Sequence, residues 1–166
     1  ELVKGIDKLA DAVVATLGPN GRNVVIDNGE SPQSTKDGVT VAKSISLSNP
    51  TQELGVKLVK QAAIQTANKA GDGTTTSTLL AREMVKAGLR AVAQGENAVS
   101  IKRDIDKSVQ TVVARLKDIA EDISSEDQLE QIATVSANND VDTGKLIATA
   151  IDKVGMEGVV HIEESR

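Results

Sequence analysis

The feature that most constrains the fold is the complete absence of aromatic side chains and of cysteine from all 166 residues. Apolar residues still make up 39% of the chain, so Leu, Ile, Val and Ala must fill any core. A chain of this length buries roughly 70% of the surface of its unfolded form, and small aliphatic side chains suit helices that pack closely. The lack of cysteine excludes disulfides, thiolate metal sites and cysteine nucleophiles. We therefore expect an aliphatic, helical core without covalent cross-links.

Charge and hydropathy weigh against two classes of partner. The 24 acidic residues outnumber the 19 basic ones and give a net charge of −5, which is unfavourable for a broad nucleic-acid-binding surface. The missing aromatic rings also remove the base stacking that most RNA and single-strand readers use. No apolar run approaches the roughly 20 residues that span a bilayer, and residues 1–4 do not resemble a signal peptide. We expect a soluble protein that binds neither nucleic acid nor membrane.

Apolar periodicity predicts that most of the chain is helical. A first stripe begins at Leu2 and recurs every three or four residues as far as Leu17, where the turn-forming residues 18–21 stop it. Further helices are expected from Pro50 to just before Gly71, from the following threonine run to residue 93, and after residue 97. Two more are expected near 129–134 and 146–154, beyond an acidic stretch at 118–127. The side chains predicted to face the core are Leu54, Leu58 and Ala62 in the second helix, and Ile105, Val109, Val112, Leu116 and Ile119 in the fourth.

Short extended segments interrupt these helices. Residues 23–27 are typical of a strand, and residues 39–41, with two valines and a threonine, are read as a second strand that could pair with the first as a hairpin. Residues 159–162 resemble a further strand. The fold class expected is mainly α, with a small β-hairpin in a multi-helix domain and a smaller partial α/β domain after it.

The most informative motif is Gly-Asp-Gly-Thr-Thr-Thr at residues 71–76. The two glycines permit backbone conformations in which N–H groups point at an anion, and the helix that follows adds its positive end. Asp72 supplies a hard oxygen suited to Mg²⁺, while the threonine hydroxyls can serve phosphate oxygens or the metal's water shell. Alternatively, the motif is only a turn followed by threonines that cap a helix.

Three other segments have a similar character, although neither a P-loop nor a Rossmann motif occurs. Residues 16–19 end the first helix, residues 36–38 form a Lys-Asp-Gly turn, and residues 135–138 form a Val-Ser-Ala-Asn loop. Taken one at a time, these segments are better explained as a helix stop, a β-turn and a helix cap.

In this order, the segments closely resemble those of the group I chaperonins, the bacterial and organellar ring-forming type, and the match runs from end to end. The strongest blocks are residues 9–13, 16–25, 36–39, 70–76, 135–138 and 152–155. Gly-Asp-Gly-Thr-Thr-Thr is shared with the archaeal and eukaryotic chaperonins, whereas Gly21–Val25 and the Ser-Ala-Asn segment favour group I. The resemblance implies that residues 1–118 are the N-terminal half of an equatorial ATP-binding domain and that 119–166 begin an intermediate hinge domain. The apical domain and the C-terminal equatorial half are expected to be absent.

The resemblance also implies a role for each candidate residue. ATP and Mg²⁺ are the expected cofactors, Asp72 is the expected metal ligand, and Asp37 is expected to assist the attacking water as the catalytic residue. Ser136 would contact the nucleotide from its edge. The expected cofactor-binding residues are Thr16, Leu17, Gly18, Pro19, Lys36, Asp72, Gly73, Thr74, Thr75, Thr76 and Ser136.

The function implied is that of a piece of an ATP-dependent chaperonin that assists protein folding. In a complete subunit, ATP hydrolysis would drive domain movements, while this segment alone is expected to be inactive. Expected partners are identical subunits in a ring, heptameric in the full-length protein, and a lid-type co-chaperonin and non-native polypeptides that bind the apical domain. The expected location is the cytoplasm, or the organelle matrix or stroma in a eukaryote. The alternative is a structural or assembly module without independent ATPase activity.

Overall fold

The computed structural model describes residues 1–29, 31–155 and 158–161. The chain divides into two compact units, Glu1–Gln110 and Thr111–Arg166. The predicted fold class is confirmed: within the described residues the chain is mainly helical with one small antiparallel hairpin. The elements are α1 (Leu2–Val14), β1 (Val24–Ile26), β2 (Gln33–Thr35), α2 (Gly38–Ser44), α3 (Pro50–Ala70), α4 (Thr74–Ala93), α5 (Ala98–Ile119), α6 (Glu126–Ser136) and α7 (Val141–Val154).

The core of the first unit forms where α1, α2 and α3 meet. The apolar stripe of α1 is confirmed over Ile6, Leu9 and Val13, which are almost completely buried. Val41 of α2 and Val56 of α3 are equally inaccessible to solvent. Every one of these side chains is aliphatic, as the absence of aromatic residues requires.

Two glycines let α1 and α3 cross with their backbones in contact. A Cβ on Gly5 of α1 would collide with the backbone oxygen of Gln52, and a Cβ on Gly55 of α3 would collide with the backbone oxygen of Leu2. The crossing is reciprocal, so each helix presents a glycine to the other's main chain. This close approach decides which face of α3 is buried.

The predicted buried face of α3 is wrong. Leu54 and Leu58 are 51% and 53% exposed, and the buried positions are Gly55, Val56, Val59 and Ala63. The two faces are adjacent on the helix, and both recur with helical spacing. The glycine crossing selects the face that begins at Gly55, because a larger side chain there would hold the helices apart.

The predicted second strand is also wrong in position. β1 pairs with β2 in an antiparallel register that places Val24 opposite Thr35 and Ile26 opposite Gln33. Residues 39–41 belong instead to α2, whose N-cap is Asp37. The Asp37 carboxylate accepts hydrogen bonds from the N–H of Val39, at 3.4 Å, and the N–H of Thr40, at 2.9 Å. A cap of this kind starts a helix and outweighs the weak strand preference of β-branched residues.

Helix α5 has no buried residue, although its predicted core face has the expected helical spacing. Val109, Val112, Leu116 and Ile119 are 46–57% exposed. Among the described residues, no element buries this apolar face of α5.

The second unit contains two helices that pack against each other. Ala133 of α6 and Ala148 of α7 are buried, and Gly144 lies so close to Thr134 that a Cβ would overlap it. The strand predicted at residues 159–162 does not form over the described residues 159–161, and residue 162 lies outside the described part. The domain boundary predicted at 118/119 stays a prediction. No helix in the described ranges is both long and apolar enough to cross a membrane.

Candidate phosphate and metal site

The loop between α3 and α4 reverses the chain within three residues. Gly71 ends α3 in the left-handed conformation with φ at 77°, and its N–H donates to the oxygen of Ala67 at 3.0 Å. Gly73 is left-handed again with φ at 81° and is the N-cap of α4. Asp72 stands between them, exposed, and its Oδ1 accepts the N–H of Gly73 at 2.5 Å. Only glycine adopts such angles without strain, so the sequence Gly-Asp-Gly fixes the position of one carboxylate.

The N-terminal end of α4 leaves backbone N–H groups available to an anion. Gly73 provides no side-chain cap, and within the described chain the N–H groups of residues 74–76 have no protein acceptor. They lie at the positive end of a helix of 20 residues. Free N–H groups together with the helix dipole favour a bound phosphate.

Two further hydroxyls stabilise this first turn. Ser77 Oγ and Thr78 Oγ1 both donate to the backbone oxygen of Thr74, at 2.9 Å and 2.8 Å. Thr78 is completely buried and Thr74 is nearly so. Sequence reasoning stopped at Thr76 and missed these two positions, although the run of hydroxyl residues through 78 was a signal that could have found them.

Thr16 connects the end of α1 to this turn. It is buried, its Oγ1 donates to the oxygen of Val13 at 2.8 Å, and it lies 3.1 Å from Thr75 Oγ1. A hydroxyl has one hydrogen, and that of Thr16 is used on Val13, so Thr75 is the donor in the second bond. The lone pairs of Thr75 Oγ1 therefore remain free to face a cation or its water shell. The structure thus brings together two predicted site residues that are 59 positions apart.

The residues after Thr16 form a compact exposed turn. Gly18 is left-handed with φ at 73°, and its oxygen accepts the N–H of Gly21 at 2.9 Å. Arg22 N–H closes the turn on the oxygen of Ala15 at 2.8 Å. Leu17, Gly18 and Pro19 are all exposed next to the buried Thr16. Their predicted role in wrapping a nucleotide stays a prediction.

Gly38 brings the Lys-Asp-Gly turn to the same place. Its ideal Cβ would lie 2.9 Å from Thr74 Oγ1 and 3.2 Å from Thr75 N, and it would overlap Thr75 Oγ1. Position 38 therefore has room for hydrogen only. Sequence reasoning assigned functions to the neighbours Lys36 and Asp37 but none to Gly38. The Asp-Gly pair was the signal, since it is as typical of a close backbone approach as of a turn.

Asp37 has two tasks at this point. Its N–H donates to Thr35 Oγ1 at 3.0 Å, while its carboxylate caps α2 and also accepts the Thr40 hydroxyl. The side chain is half-buried, and Lys36 beside it is exposed. The cap bonds fix the carboxylate at the start of α2, one residue before the glycine that packs against Thr74 and Thr75.

Two ion pairs join α1 to α4 behind the site. Arg82 Nη1 lies 2.7 Å from Asp11 Oδ1, and Lys86 Nζ lies 3.1 Å from Asp7 Oδ1. Each pair still has a partner in contact with solvent, and ion pairs of that kind contribute at most about 1 kcal/mol. The two pairs lie one turn apart on each helix and join the same two helices that bring Thr16 and Thr75 together.

Ser136 is the one predicted site residue in the other unit. It is the last residue of α6 and is exposed. The chain then turns through Asn138 and Asn139, both with positive φ, before Asp140 caps α7 through the N–H groups of Asp142 and Thr143. The predicted contact of Ser136 with a nucleotide stays a prediction.

Residues 9–164 match the TCP-1/cpn60 chaperonin family. The chain is a member of that family. Its structure is similar to that of the chaperonin gp146 from the bacteriophage EL 2 (Pseudomonas aeruginosa), solved in presence of ATP-BeFx. The TM-score is 0.72 and the identity 33%, over 90% of this chain and 26% of that one.

Two further solved structures agree with this fold. A second crystal form of the phage chaperonin gives a TM-score of 0.74 at 32% identity, over 92% of this chain and 27% of that one. A group III chaperonin in the open state gives a TM-score of 0.74 at 21% identity, over 92% of this chain and 31% of that one. At that lower identity the likeness concerns the fold alone. The chain thus spans about a quarter to a third of the length of the chaperonins it matches.

The donor set of this chaperonin segment fits Mg²⁺ held together with a nucleotide better than a metal held by protein alone. In the part of the chain that the structure describes, no three His, Cys, Asp or Glu residues form a metal-binding group. Mg²⁺ usually takes one or two carboxylates, substrate phosphates and water. Asp72 next to the free N–H groups of residues 74–76 provides that arrangement.

Proposed function

We propose that this chaperonin segment holds the phosphates and the Mg²⁺ of ATP within an ATP-dependent folding chaperone. The observation that carries the proposal is the convergence of three distant segments on the first turn of α4. Thr16 reaches it through the bond to Thr75, Gly38 through a backbone approach, and Asp72 through the loop that starts the helix. Turns and caps of independent origin would have no reason to meet at one helix N-terminus.

Each residue has a distinct chemical task. The N–H groups of residues 74–76 bind phosphate oxygens, and the exposed Thr76 hydroxyl adds a donor. Asp72 provides one ligand to Mg²⁺, which when bound neutralises phosphate charge. Lys36 adds a positive charge beside the same turn. Charge stabilisation and positioning of this kind account for most of the catalysis in phosphoryl transfer.

Few acceptor positions of the Asp37 carboxylate remain free to orient a water molecule. A carboxylate offers about four lone-pair positions, and three are used by Val39, Thr40 N–H and the Thr40 hydroxyl. The remaining position can accept one hydrogen bond from a water molecule. The role proposed for Asp37 is therefore to hold a water at a fixed place.

The wider activity belongs to the same proposal. Gly21–Val25 and the segment Ser136-Ala137-Asn138 favour a group I chaperonin, with Thr16–Pro19 and Ser136 in contact with the nucleotide. We infer a ring of identical subunits, heptameric in the full-length protein, in the cytoplasm or in an organelle matrix or stroma. A lid-type co-chaperonin and non-native polypeptides are the further partners proposed.

One observation favours the alternative of an assembly module without catalysis of its own. Helix α5 presents Val99, Val109, Val112 and Leu116 to solvent, each 46–60% exposed. An uncovered apolar face on a 22-residue helix is a packing surface for other protein. The two functions are compatible, because a segment can hold phosphate and still need further chain for hydrolysis.

Titration calorimetry of the chain with ATP, with and without Mg²⁺, tests the proposal. We expect binding that Mg²⁺ strengthens in the native chain and that Mg²⁺ no longer strengthens in Asp72→Asn, because the neutral amide is a poor ligand for the metal. Asp104→Asn on α5 is the matched control, since Asp104 is exposed and lies outside the site.

The outcomes separate the candidates. Binding that is absent from the native chain would leave the assembly module as the better description. Mg²⁺ dependence that survives in Asp72→Asn would refute the metal assignment, even if the chain binds ATP.

A further inference from the structure

Lys60, in the middle of α3, lies outside every segment that carries a nucleotide role, yet it holds the helix that carries Asp37 and Gly38. Its Nζ donates to the backbone oxygen of Ile45 at 2.7 Å and to that of Lys43 at 3.3 Å. Both oxygens are at the C-terminal end of α2, which ends at Ser44. Carbonyl groups there lack helical partners and carry the negative end of the helix dipole, so a lysine ammonium is favourable.

Glu53 holds the chain just after this point. Its Oε2 accepts the N–H of Leu47 at 2.8 Å. Residues 53 and 60 are two turns apart and therefore lie on one side of α3. The side chains of Ile45 and Leu47 also pack against the core. The segment that leaves α2 is thus fixed to α3 by charged and apolar contacts together.

The position of α2 depends on such contacts, because a helix of seven residues is not stable alone. Three places hold it. At its start, Gly38 fits against Thr74 and Thr75 with no room for a Cβ. In its middle, Val41 and Ala42 are buried. At its end is the Lys60 ammonium. With a length of about 10 Å, a shift at the last turn is transmitted to Asp37 and Gly38 at the first.

We propose that Lys60 is a positioning residue for the phosphate site, which acts by anchoring the C-terminal end of α2. The effect of Lys60 on nucleotide affinity rests on the function proposed above, whereas its effect on the position of α2 does not. Removal of the ammonium lets the last turn of α2 move, and Gly38 then loses its fit against Thr74 and Thr75.

Three variants of the chain test the inference by titration calorimetry with Mg-ATP. Lys60→Met keeps the aliphatic stem and removes the charge, and we expect about tenfold weaker binding, equal to about 1.4 kcal/mol. Lys60→Arg keeps a cation that can donate to both oxygens and restores most of the affinity. Lys57→Met, at an exposed position on the same helix, leaves it unchanged. Titrations are made well below the unfolding midpoint of every variant, so that lower stability alone does not change the affinity.

Amide chemical shifts of the nucleotide-free chain provide a readout that is independent of ATP. In Lys60→Met we expect the amides of Gly38 and Thr75 to shift along with those of residues 43–47, and in Lys57→Met neither group moves. Shifts confined to residues 43–47, or an affinity in Lys60→Met equal to that of Lys57→Met, would overturn the positioning role. If the native chain binds no Mg-ATP, the proposed function fails while the amide shifts still decide the role of Lys60.

Discussion

Replacing Gly38 by alanine tests directly whether the segments of the site are as tightly joined as the structure indicates. A Cβ at this position would lie 2.9 Å from Thr74 Oγ1 and 3.2 Å from Thr75 N, and closer still to Thr75 Oγ1. Thr75 cannot simply turn away, since its hydroxyl donates to Thr16. The new methyl group must therefore move α2 or break that hydrogen bond.

The magnitude follows from three contributions. Overpacking costs about 1–3 kcal/mol, and loss of the neutral bond between Thr16 and Thr75 costs about 1 kcal/mol. Alanine restricts the unfolded chain more than glycine does, which returns about 0.4–1 kcal/mol. The sum is a free energy of unfolding lower by about 1–4 kcal/mol for Gly38→Ala.

Gly88→Ala is the matched control, because a Cβ at that helical position would meet only Ile101 Cγ2 at 3.8 Å, an ordinary contact. It should stabilise the chain by about 0.4–1 kcal/mol. Urea unfolding followed by circular dichroism measures both. With a slope of about 2 kcal/mol per molar urea, the two midpoints should differ by roughly 1 M or more. Equal midpoints, with equal slopes, would refute the packing described around Gly38.

Two further predictions concern other parts of the fold. Gly5→Ala places a Cβ on the backbone oxygen of Gln52, which cannot rotate away, so we expect the free energy of unfolding to fall by about 3 kcal/mol or more. A thermal midpoint equal to that of Gly88→Ala would contradict the close approach of α1 and α3 at their glycines. The pKa of Asp140 is lowered, chiefly by the Thr143 N–H and then by the Thr143 hydroxyl. The stabilisation of the folded state by this cap on α7 is therefore fully present above the unfolded pKa, near 4, and is lost as the pH falls through the folded pKa. Asp140→Asn keeps a capping oxygen that does not titrate. In urea unfolding between pH 5 and pH 2, the native chain should therefore lose more stability than this variant. Equal losses would show that protonation of Asp140 does not change the stability of the chain.

The helices and their ends could be predicted largely from local sequence. The limits of α3 follow from Asn49 and Pro50 at its start and Gly71 at its end. The end of α7 at Gly155 was also predicted, whereas its start, predicted near residue 146, is at Val141 behind the Asp140 cap. The mainly α fold class follows from periodic aliphatic residues in a chain without rings. These signals act within one or two turns, so they do not depend on the tertiary structure.

The wrong predictions for α2, α3 and α5 have a common cause, because each depends on packing between elements that local sequence does not determine. The β-branched side chains of residues 39–41 predict a strand, whereas the Asp37 cap and the burial of Gly38, Val41 and Ala42 at helical spacing make them a helix. On α3, periodicity allowed two adjacent faces, and only the approach of Gly5 and Gly55 distinguishes them. The apolar face of α5 is not buried by the described residues. Its periodicity predicted that the face could be buried, but periodicity does not show which element would cover it.

The chemical groups of the site were determined by the sequence: glycines that permit left-handed turns, one exposed carboxylate, and hydroxyls at the start of a helix. The tertiary structure decided which of these groups lie close together. Only the folded chain places the Thr16 hydroxyl 3.1 Å from that of Thr75, 59 positions away, and leaves room for nothing larger than hydrogen at Gly38. It also decided that the side chains of Lys60, Ser77 and Thr78 donate hydrogen bonds to backbone oxygens. The physical reason is that residue types fix which bonds a group can make, while distances between remote segments depend on how the helices pack.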